Sequence, residues 1–312
     1  MHSLVQLEYI VAVDTYRQFS IAAEKCFVTQ PTLSMQIKKL ENDLDITIFD
    51  RSKQPVVPTE IGKIIIDQAR IILAESAKIG EIVQANKNTV VGELKLGIIP
   101  SVAPYLLPVF IGKLTKTYPD LEIKIKELLT EEILAELEKD TLDVGIISTP
   151  VPNGGFTEIP LYFEKIFIYC HPKHPLYEKE KITLDEISNE NIWLLSQGHC
   201  FRSQVINVCA LKESGNKLPF SYESASIETL IKMVDREGGL TLIPELAVND
   251  LTPSKQSRVK EIKGLNPIRE IGLVTNRIFV KQRTLEALKN VIQDVLPAEI
   301  LNEKRGDRVD WK

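Results

Sequence analysis

The sequence predicts a mixed fold: a small helical head with a β wing, one long helix, and a two-lobed α/β region. Three observations predict it. Short amphipathic stretches with helical spacing fill the segment up to a proline-punctuated run ending at Pro58. An apolar stripe at helical spacing then continues from Thr59 to about Asn86. From Glu93 onward strand-like and helix-like segments alternate. The chain has 312 residues, enough for about two domains at roughly 150 residues each. Its 44% hydrophobic and 26% charged residues are a globular balance, which excludes a disordered chain or a coiled-coil rod. A chain this long buries most of its apolar surface without disulfide staples.

Residues 4–16 place Leu4, Leu7, Ile10, Val11 and Val13 for one helix face. Ser20 is expected to cap a short helix, IAAEKCF, and Val28-Thr29 to form a turn. Gln30-Pro31 opens a third helix, with proline tolerated in a first turn whose N–H groups lack intrahelical partners. Leu33, Ile37, Leu40 and Leu44 line its buried face, and Thr32, Ser34, Met35, Lys38 and Lys39 the other. Two short helices around a tight turn, followed by a polar-faced helix, form a helix-turn-helix. The run ITIFDRSKQPVVP suits a two-stranded wing. The long helix carries Ile61, Ile65, Ile72, Ile79 and Val83, a stripe that points to a linker or dimerisation helix rather than a core helix of the next domain.

The segment NKNTVVGE breaks the periodicity, and the domain boundary is placed there. Strand LKLGII, a helix from Tyr105, strand EIKIK, helix TEEILAELEK and strand DVGII have the rhythm of a parallel, doubly wound sheet. A second set begins near Phe167 and runs through helices around 201–213 and 226–235 to strand LTLI. REIGLV returns as a strand, followed by a helix at 281–296. Two such lobes leave a cleft at the strand ends. The expected divisions are a winged head over 1–58, a linker helix over 59–88, an effector region over 89–300 and a charged, frayed tail over 301–312.

No apolar run approaches the roughly 20 residues a membrane helix needs. The first residues lack the basic region and cleavage site of a secretory signal. Four cysteines, Cys26, Cys170, Cys200 and Cys209, are too few and scattered for a secreted disulfide framework. The chain therefore reads as cytoplasmic. The net charge is −5, and the first 65 residues hold seven Lys/Arg against eight Asp/Glu. Bulk charge governs non-specific attraction and does not identify a reading head, so composition leaves DNA binding open.

The run FSIAAEKCFVTQPTLSMQIKKLENDLDITIFDRSKQPVVPTEIGK at 19–63 resembles the winged helix-turn-helix of LysR-type transcriptional regulators. The matching motifs are the AA pair, the QP-x-LS-x-QI-x-x-LE core, the IF-x-R wing and the TE-x-G helix start. Asp45 stands where glycine is usual, and Met35 where a basic or polar residue is common. The resemblance implies a two-lobed effector domain like the type II periplasmic binding proteins. It also implies that Gln30, Pro31, Thr32 and Ser34 approach base edges of double-stranded promoter DNA, with Ser20, Lys38, Arg51 and Thr59 on phosphates. Side chains at the start of a recognition helix reach base edges, and Arg51 and Lys53 on a wing suit backbone anchoring. Homodimers and homotetramers, and contact with RNA polymerase, follow from the same resemblance.

The stretch GHC at 198–200, with Cys209 nine residues after Cys200, is similar to the OxyR peroxide sensors within that family. So are GIIPSVAPYLLP at 97–108 and ASIETLIKMVDREGGLTLIPELAV at 225–248. By this resemblance Cys200 is the thiol that reacts with hydrogen peroxide and Cys209 its resolving partner in a reversible disulfide. Ser101, Thr130, His199 and Arg269 match pocket positions. The residues give a parallel reading: Phe201, Val205, Val208 and Cys209 share one helical face, which Gly215 is placed to end. Cys200 at that helix's N-terminus, with Arg202 near in sequence, is expected to have a lowered pKa. Nine residues of helix span about 13–14 Å, whereas a disulfide needs Cα atoms within about 7 Å. The helix over 200–215 is therefore expected in the reduced protein and a remodelled segment in the oxidised one.

Cys26 and Cys170 read as core residues. CHPKHP at 170–175 is better explained as a loop than as a metal site, since no fourth ligand is evident. No cofactor motif is recognisable, and no enzyme activity is expected. Two rival readings stand beside the sensor. One is a LysR-type regulator with a small co-inducer in the inter-lobe cleft. The other is a thiol peroxidase with a DNA-binding appendage.

Overall fold

The computed structural model describes residues 2–87, 90–151, 154–188, 192–209, 226–277 and 279–310. It divides into two compact units, one holding Met1–Thr89 with Ile278–Gln282 and the other Val90–Arg277 with Arg283–Lys312. The first unit contains α1 (Leu4–Tyr16), α2 (Phe19–Lys25), α3 (Gln30–Leu44), the antiparallel pair β1 (Phe49–Asp50) and β2 (Val57–Pro58), and α4 (Glu60–Lys87). Ser3 and Gln6 close a capping box on α1. Ser20 lies inside α2 and Gln18 precedes it, so Ser20 is not the cap expected from sequence. Ile10, Val13, Ala22, Leu33, Ile37, Leu40 and Ile48 form a fully buried core. On α4 it is Ile66 and Ala69 that pack into this core, with Ile65 partly buried beside them. Ile61, Ile64, Ile72 and Ile79 of the same helix remain exposed.

The second unit begins with β3 (Gly92–Ile98), α5 (Ala103–Thr117), β4 (Leu121–Glu127), α6 (Thr130–Glu138) and β5 (Val144–Thr149). Strands β4, β3 and β5 are parallel neighbours, as alternating strands and helices dictate. A 15-residue strand, β6 (Phe156–Cys170), follows. After it come β7 (Lys181–Ile182), α7 (Leu184–Ser188), β8 (Ile192–Trp193), α8 (Cys200–Cys209), α9 (Ile227–Glu237) and β9 (Leu240–Pro244). The unit closes with α10 (Glu245–Asn249), α11 (Pro253–Gln256), β10 (Val259–Ile262), β11 (Pro267–Asn276), α12 (Gln282–Val295) and β12 (Asp307–Arg308). Residues 210–215 of the predicted helix, Gly215 included, lie outside the described residues.

The parallel rhythm holds for the first set, and the returning strand β11 makes the whole sheet mixed, running antiparallel to both β5 and β6. Strand β6 pairs with β11 over Phe156–Lys165 and with β9 over Ile166–Cys170, so one strand serves both lobes. The charged tail is ordered over its described residues. Two 3₁₀ turns, Ala298–Leu301 and Glu303–Arg305, lead into β12, which pairs in parallel with β11. Charge alone suggested fraying; backbone pairing and the Arg305–Glu245 and Arg308–Glu270 ion pairs hold the segment.

Candidate redox site and nucleic-acid interface

Cys200 and Cys209 stand at the two ends of α8, and both are free thiols and buried. Gly198 makes the turn into the helix with φ +90, and a side chain there would press on Leu129 at 3.1 Å. Glycine thus allows both the left-handed backbone and the close approach of the α6 start. Phe201, Val205 and Val208 are buried together with both thiols, so the helical face read from the sequence is the packed one.

The surroundings of Cys200 are polar. Arg269 on β11 is fully buried and lies with its guanidinium carbon 4.6 Å from the centre of the Phe201 ring. Its Nη1 donates to Ser101 Oγ at 2.9 Å and its Nη2 to the Ser101 carbonyl at 3.0 Å. Its Nε donates to Glu164 Oε1 at 2.8 Å. The Thr130 hydroxyl faces the Cys200 thiol and favours its thiolate; it makes no full hydrogen bond to a described group. Ser101, Thr130 and Arg269 are far apart in sequence, and β3, α6 and β11 bring them to one place. His199 is buried beside Cys200, and loss of solvent holds its pKa below the ordinary imidazole value, which favours a neutral ring.

Two sequence expectations change here. Arg202 donates to the Leu195 carbonyl at 2.8 Å, and the cation whose field reaches the thiol is Arg269. The Cys200 pKa is raised rather than lowered: complete burial outweighs Arg269, the Thr130 hydroxyl and the Phe201 and Ser148 N–H groups, which all favour the thiolate. The helix N-terminus supplies donors, but the sulfur of a residue only 3% exposed has lost most of its hydration. At Cys209 burial acts unopposed and pushes the thiol up to about 12. The two thiols are therefore inequivalent: several groups favour the thiolate of Cys200, whereas burial acts alone at Cys209.

Side chains between the cysteines reach the C-terminal segment. Gln204 Nε2 donates to Ser148 Oγ at 3.0 Å and to the Val309 carbonyl at 3.1 Å. Asn207 Nδ2 donates to the Asp310 carbonyl at 2.9 Å. This tie was not legible in advance, because nothing in the local pattern links residue 207 to residue 310.

In the head, Gln30, Pro31, Met35, Lys38 and Lys39 form the exposed face of α3, and Thr32 is half-buried. Thr29 caps this helix, accepting from Thr32 N at 3.4 Å. Arg51 donates to Ser34 Oγ at 3.1 Å and pairs with Glu41 at 3.0 Å, its guanidinium lying 5.0 Å from the Phe19 ring centre. Ser34 and Arg51, expected on bases and phosphates separately, are thus bonded to each other. Glu41 also accepts from Ile48 N at 2.8 Å and Phe49 N at 3.3 Å, bracketing the wing to α3. The sequence reading missed Glu41; its place in the LE pair was the available signal. Thr59 donates its single hydroxyl proton to the Thr47 carbonyl at 2.7 Å and accepts from Gly62 N. That hydroxyl is not free to donate to a phosphate as expected. Gly62 lies where any side chain would strike the Ile48 carbonyl, which explains glycine in TE-x-G. Ser20 and Lys53 are exposed.

Cys170 is buried and Cys26 half-buried, with burial raising the Cys26 pKa. His171 Nδ1 accepts from Lys173 N and His174 Nδ1 from Leu176 N, so both histidines shape a loop. Among the described residues no helix is long and apolar enough to cross a membrane.

Comparison with known proteins places this architecture. The LysR substrate binding domain family matches residues 87–297, and the bacterial regulatory helix-turn-helix proteins of the lysR family match residues 4–63. The chain belongs to the LysR family. Among LysR-family relatives, a hydrogen peroxide-inducible genes activator of Haemophilus influenzae is 35% identical over 268 residues, 86% of this chain and 88% of the relative. The DNA-binding transcriptional dual regulator OxyR of Escherichia coli is 37% identical over 242 residues, 78% of this chain and 79% of its own. A full-length OxyR from Pseudomonas aeruginosa with one cysteine changed to aspartate superimposes with a TM-score of 0.77 at 32% identity. That match covers 94% of this chain and 98% of the solved one.

Proposed function

We propose that this LysR-family regulator senses hydrogen peroxide through Cys200 and Cys209 and transmits the change to promoter DNA bound by its winged head. The observation that carries the reading is a pair of inequivalent buried thiols at opposite ends of one helix, with only Cys200 set among Arg269, Ser101 and Thr130. The names of the relatives in Haemophilus influenzae and Escherichia coli support it.

The chemistry balances with one peroxide. The Cys200 sulfur, as thiolate, attacks one peroxide oxygen; an S–O bond forms, the O–O bond breaks, and the departing hydroxide takes up the thiol's proton as water. The sulfur is oxidised by two electrons to sulfenic acid. Cys209 sulfur then displaces that hydroxyl, giving a disulfide and a second water. Donors around Cys200 stabilise the charge that moves from sulfur to oxygen. The second step requires α8 to unwind, because helix geometry holds the two Cα atoms about 13–14 Å apart. Unwinding frees Gln204 and Asn207 from the C-terminal segment and Phe201, Val205 and Val208 from their packing, giving a two-state element biased by chemistry.

On DNA, the exposed Gln30 and Pro31, the half-buried Thr32 and neighbouring side chains of α3 read bases while Lys38, Ser20 and the wing residues Arg51 and Lys53 meet phosphates. The exposed isoleucines of α4 offer a face for a second copy of the chain, and the regulator works in the cytoplasm as a homodimer or homotetramer that engages RNA polymerase. It consumes oxidant stoichiometrically and is not an enzyme. Peptide mass spectrometry of blocked thiols after a brief, low peroxide dose tests the reading. Cys200 is expected to be modified first, ending as a Cys200–Cys209 disulfide; Cys209→Ser stops at sulfenic acid. First oxidation of Cys26 or Cys170 overturns it.

A further inference from the structure

A long arginine side chain makes a poor fixed charge unless its surroundings hold it. Arg269 and Glu164 are direct cross-strand partners on β11 and β6. They sit where β6 is about to leave β11 for β9. Both are fully buried, with Glu164 Oε1 2.8 Å from Arg269 Nε and 2.7 Å from Nη2. The second carboxylate oxygen of Glu164 accepts from Leu246 N at 3.2 Å, at the start of α10. Ser101 takes two further N–H directions of the guanidinium, and the Phe201 ring flanks it. Every contact of Glu164 named here fixes the plane and reach of the cation beside Cys200.

Buried ion pairs contribute little net stability, because removing two charges from water offsets their attraction. A pair with no exposure at this position is better explained by what it does to the neighbouring sulfur. We propose that Glu164 is a positioning residue for peroxide chemistry at Cys200, holding Arg269 at the start of α8 and offsetting its charge. The proposal rests on the reading of Cys200 as the peroxide-reactive thiol. Glu164 acts through Arg269: the guanidinium stabilises charge as it passes from sulfur to the departing oxygen, and the carboxylate sets where that guanidinium lies. The other groups bearing on this cluster are Thr130 and His199 beside Cys200, Glu245 and Tyr162 beside Glu164, and Tyr105 with Glu228 near Arg269. Among the carboxylates of the described residues named here, Glu164 is the one hydrogen-bonded to the guanidinium.

The test uses the full-length reduced protein and two readouts: the rate of Cys200 oxidation by hydrogen peroxide, and the pH profile of Cys200 alkylation, both by peptide mass spectrometry. Glu164→Asp keeps the charge but withdraws it by one methylene. It is expected to slow oxidation by about tenfold to a hundredfold, as an ångström of misplacement does, with little movement of the alkylation profile. Glu164→Gln keeps the length and removes the charge, leaving Arg269 less neutralised. Its alkylation midpoint is expected about one pH unit lower than the parent's. A merely structural role lowers the melting temperature and moves neither readout. If Glu164→Gln does not fold, Glu164→Asp decides alone. Parent protein that oxidises first at Cys200, with variants matching it in rate and profile, overturns the proposal and leaves the sensor reading intact. Parent protein that oxidises first elsewhere overturns both.

Discussion

Helices α3 and α8, the proposed reading and sensing elements, are built differently. The 15-residue α3 is capped by Thr29 at its start and by Asp45 in the left-handed conformation at its end. Leu33, Ile37 and Leu40 anchor it in the head core, and Glu41 ties it to the wing. The 10-residue α8 contains Val205-Ile206-Asn207-Val208, residues of middling to poor helix propensity. Its helical state comes from its neighbours: the packing of Phe201, Val205 and Val208, and the bonds from Gln204 and Asn207 to the C-terminal segment. A helix that reads bases must hold one shape. A helix that senses must be able to leave its shape, and support that comes from tertiary contacts can be withdrawn all at once.

The largest expected effect breaks the comparison if it fails. On disulfide formation, amide exchange across residues 201–209 should accelerate on the order of a hundredfold, a few kcal/mol of local stability. Exchange across α3 should stay unchanged in the same sample. Equal protection of α8 in both redox states, with the disulfide confirmed by mass, would refute the unwinding step. The next effect sharpens the other side. Glu41→Ala leaves Ile48 N and Phe49 N without this acceptor and Arg51 without its carboxylate partner, and should destabilise the head by about 1–3 kcal/mol. Thermal unfolding and specific DNA binding should both suffer, while peroxide oxidation of Cys200 should keep its parental rate.

The same contrast explains what could be read in advance. The face of α3 was legible because Leu33, Ile37 and Leu40 repeat at helical spacing and a proline marks the start. The alternation of β3, α5, β4, α6 and β5 was legible for the same reason. Strand β11 was found, but not its antiparallel direction, because direction depends on which strand lies beside it. The site was legible as thiols and a motif, and its electrostatics were not. Arg202 is two residues from Cys200 yet bonds to Leu195, whereas Arg269 is brought to the site by the sheet. The helix N-terminus suggested a lowered thiol pKa; burial, which a local pattern cannot measure, reverses the sign. The tail looked frayed because its charges were counted without β11 and Glu245 beside them.

The pH dependence distinguishes the two ends of α8. Both thiols are raised above their ordinary value, so the protonated form dominates at pH 7 and each unit of added alkalinity increases the reactive thiolate. Alkylation of Cys200 in the reduced protein should therefore rise about tenfold per pH unit between roughly pH 7 and 9. Cys209, pushed up to about 12, should lag behind Cys200 throughout. A flat profile for Cys200 would mean that its thiolate is already formed at neutrality, with Arg269 and the N–H donors winning over burial.

The smallest effect isolates the tail. Asn207 lies near the Cys209 end of α8 and donates to the Asp310 carbonyl in an exposed position. Asn207→Ala removes that bond without opening the apolar core, so the loss should be about 0.5–1.5 kcal/mol. Much of this loss should fall on the helical state of α8, because the unwound, oxidised segment no longer makes the bond. The expected result is a disulfide that forms up to about tenfold faster from the sulfenic acid, with the first oxidation of Cys200 unaffected. The two steps separate cleanly in a stopped experiment in which dimedone traps sulfenic acid and mass spectrometry counts disulfide. If Asn207→Ala changes the first step and spares the second, the tail does not restrain the unwinding of α8. The helix would then be held at the Cys200 end alone, and the contrast with α3 would rest on packing rather than on the C-terminal segment.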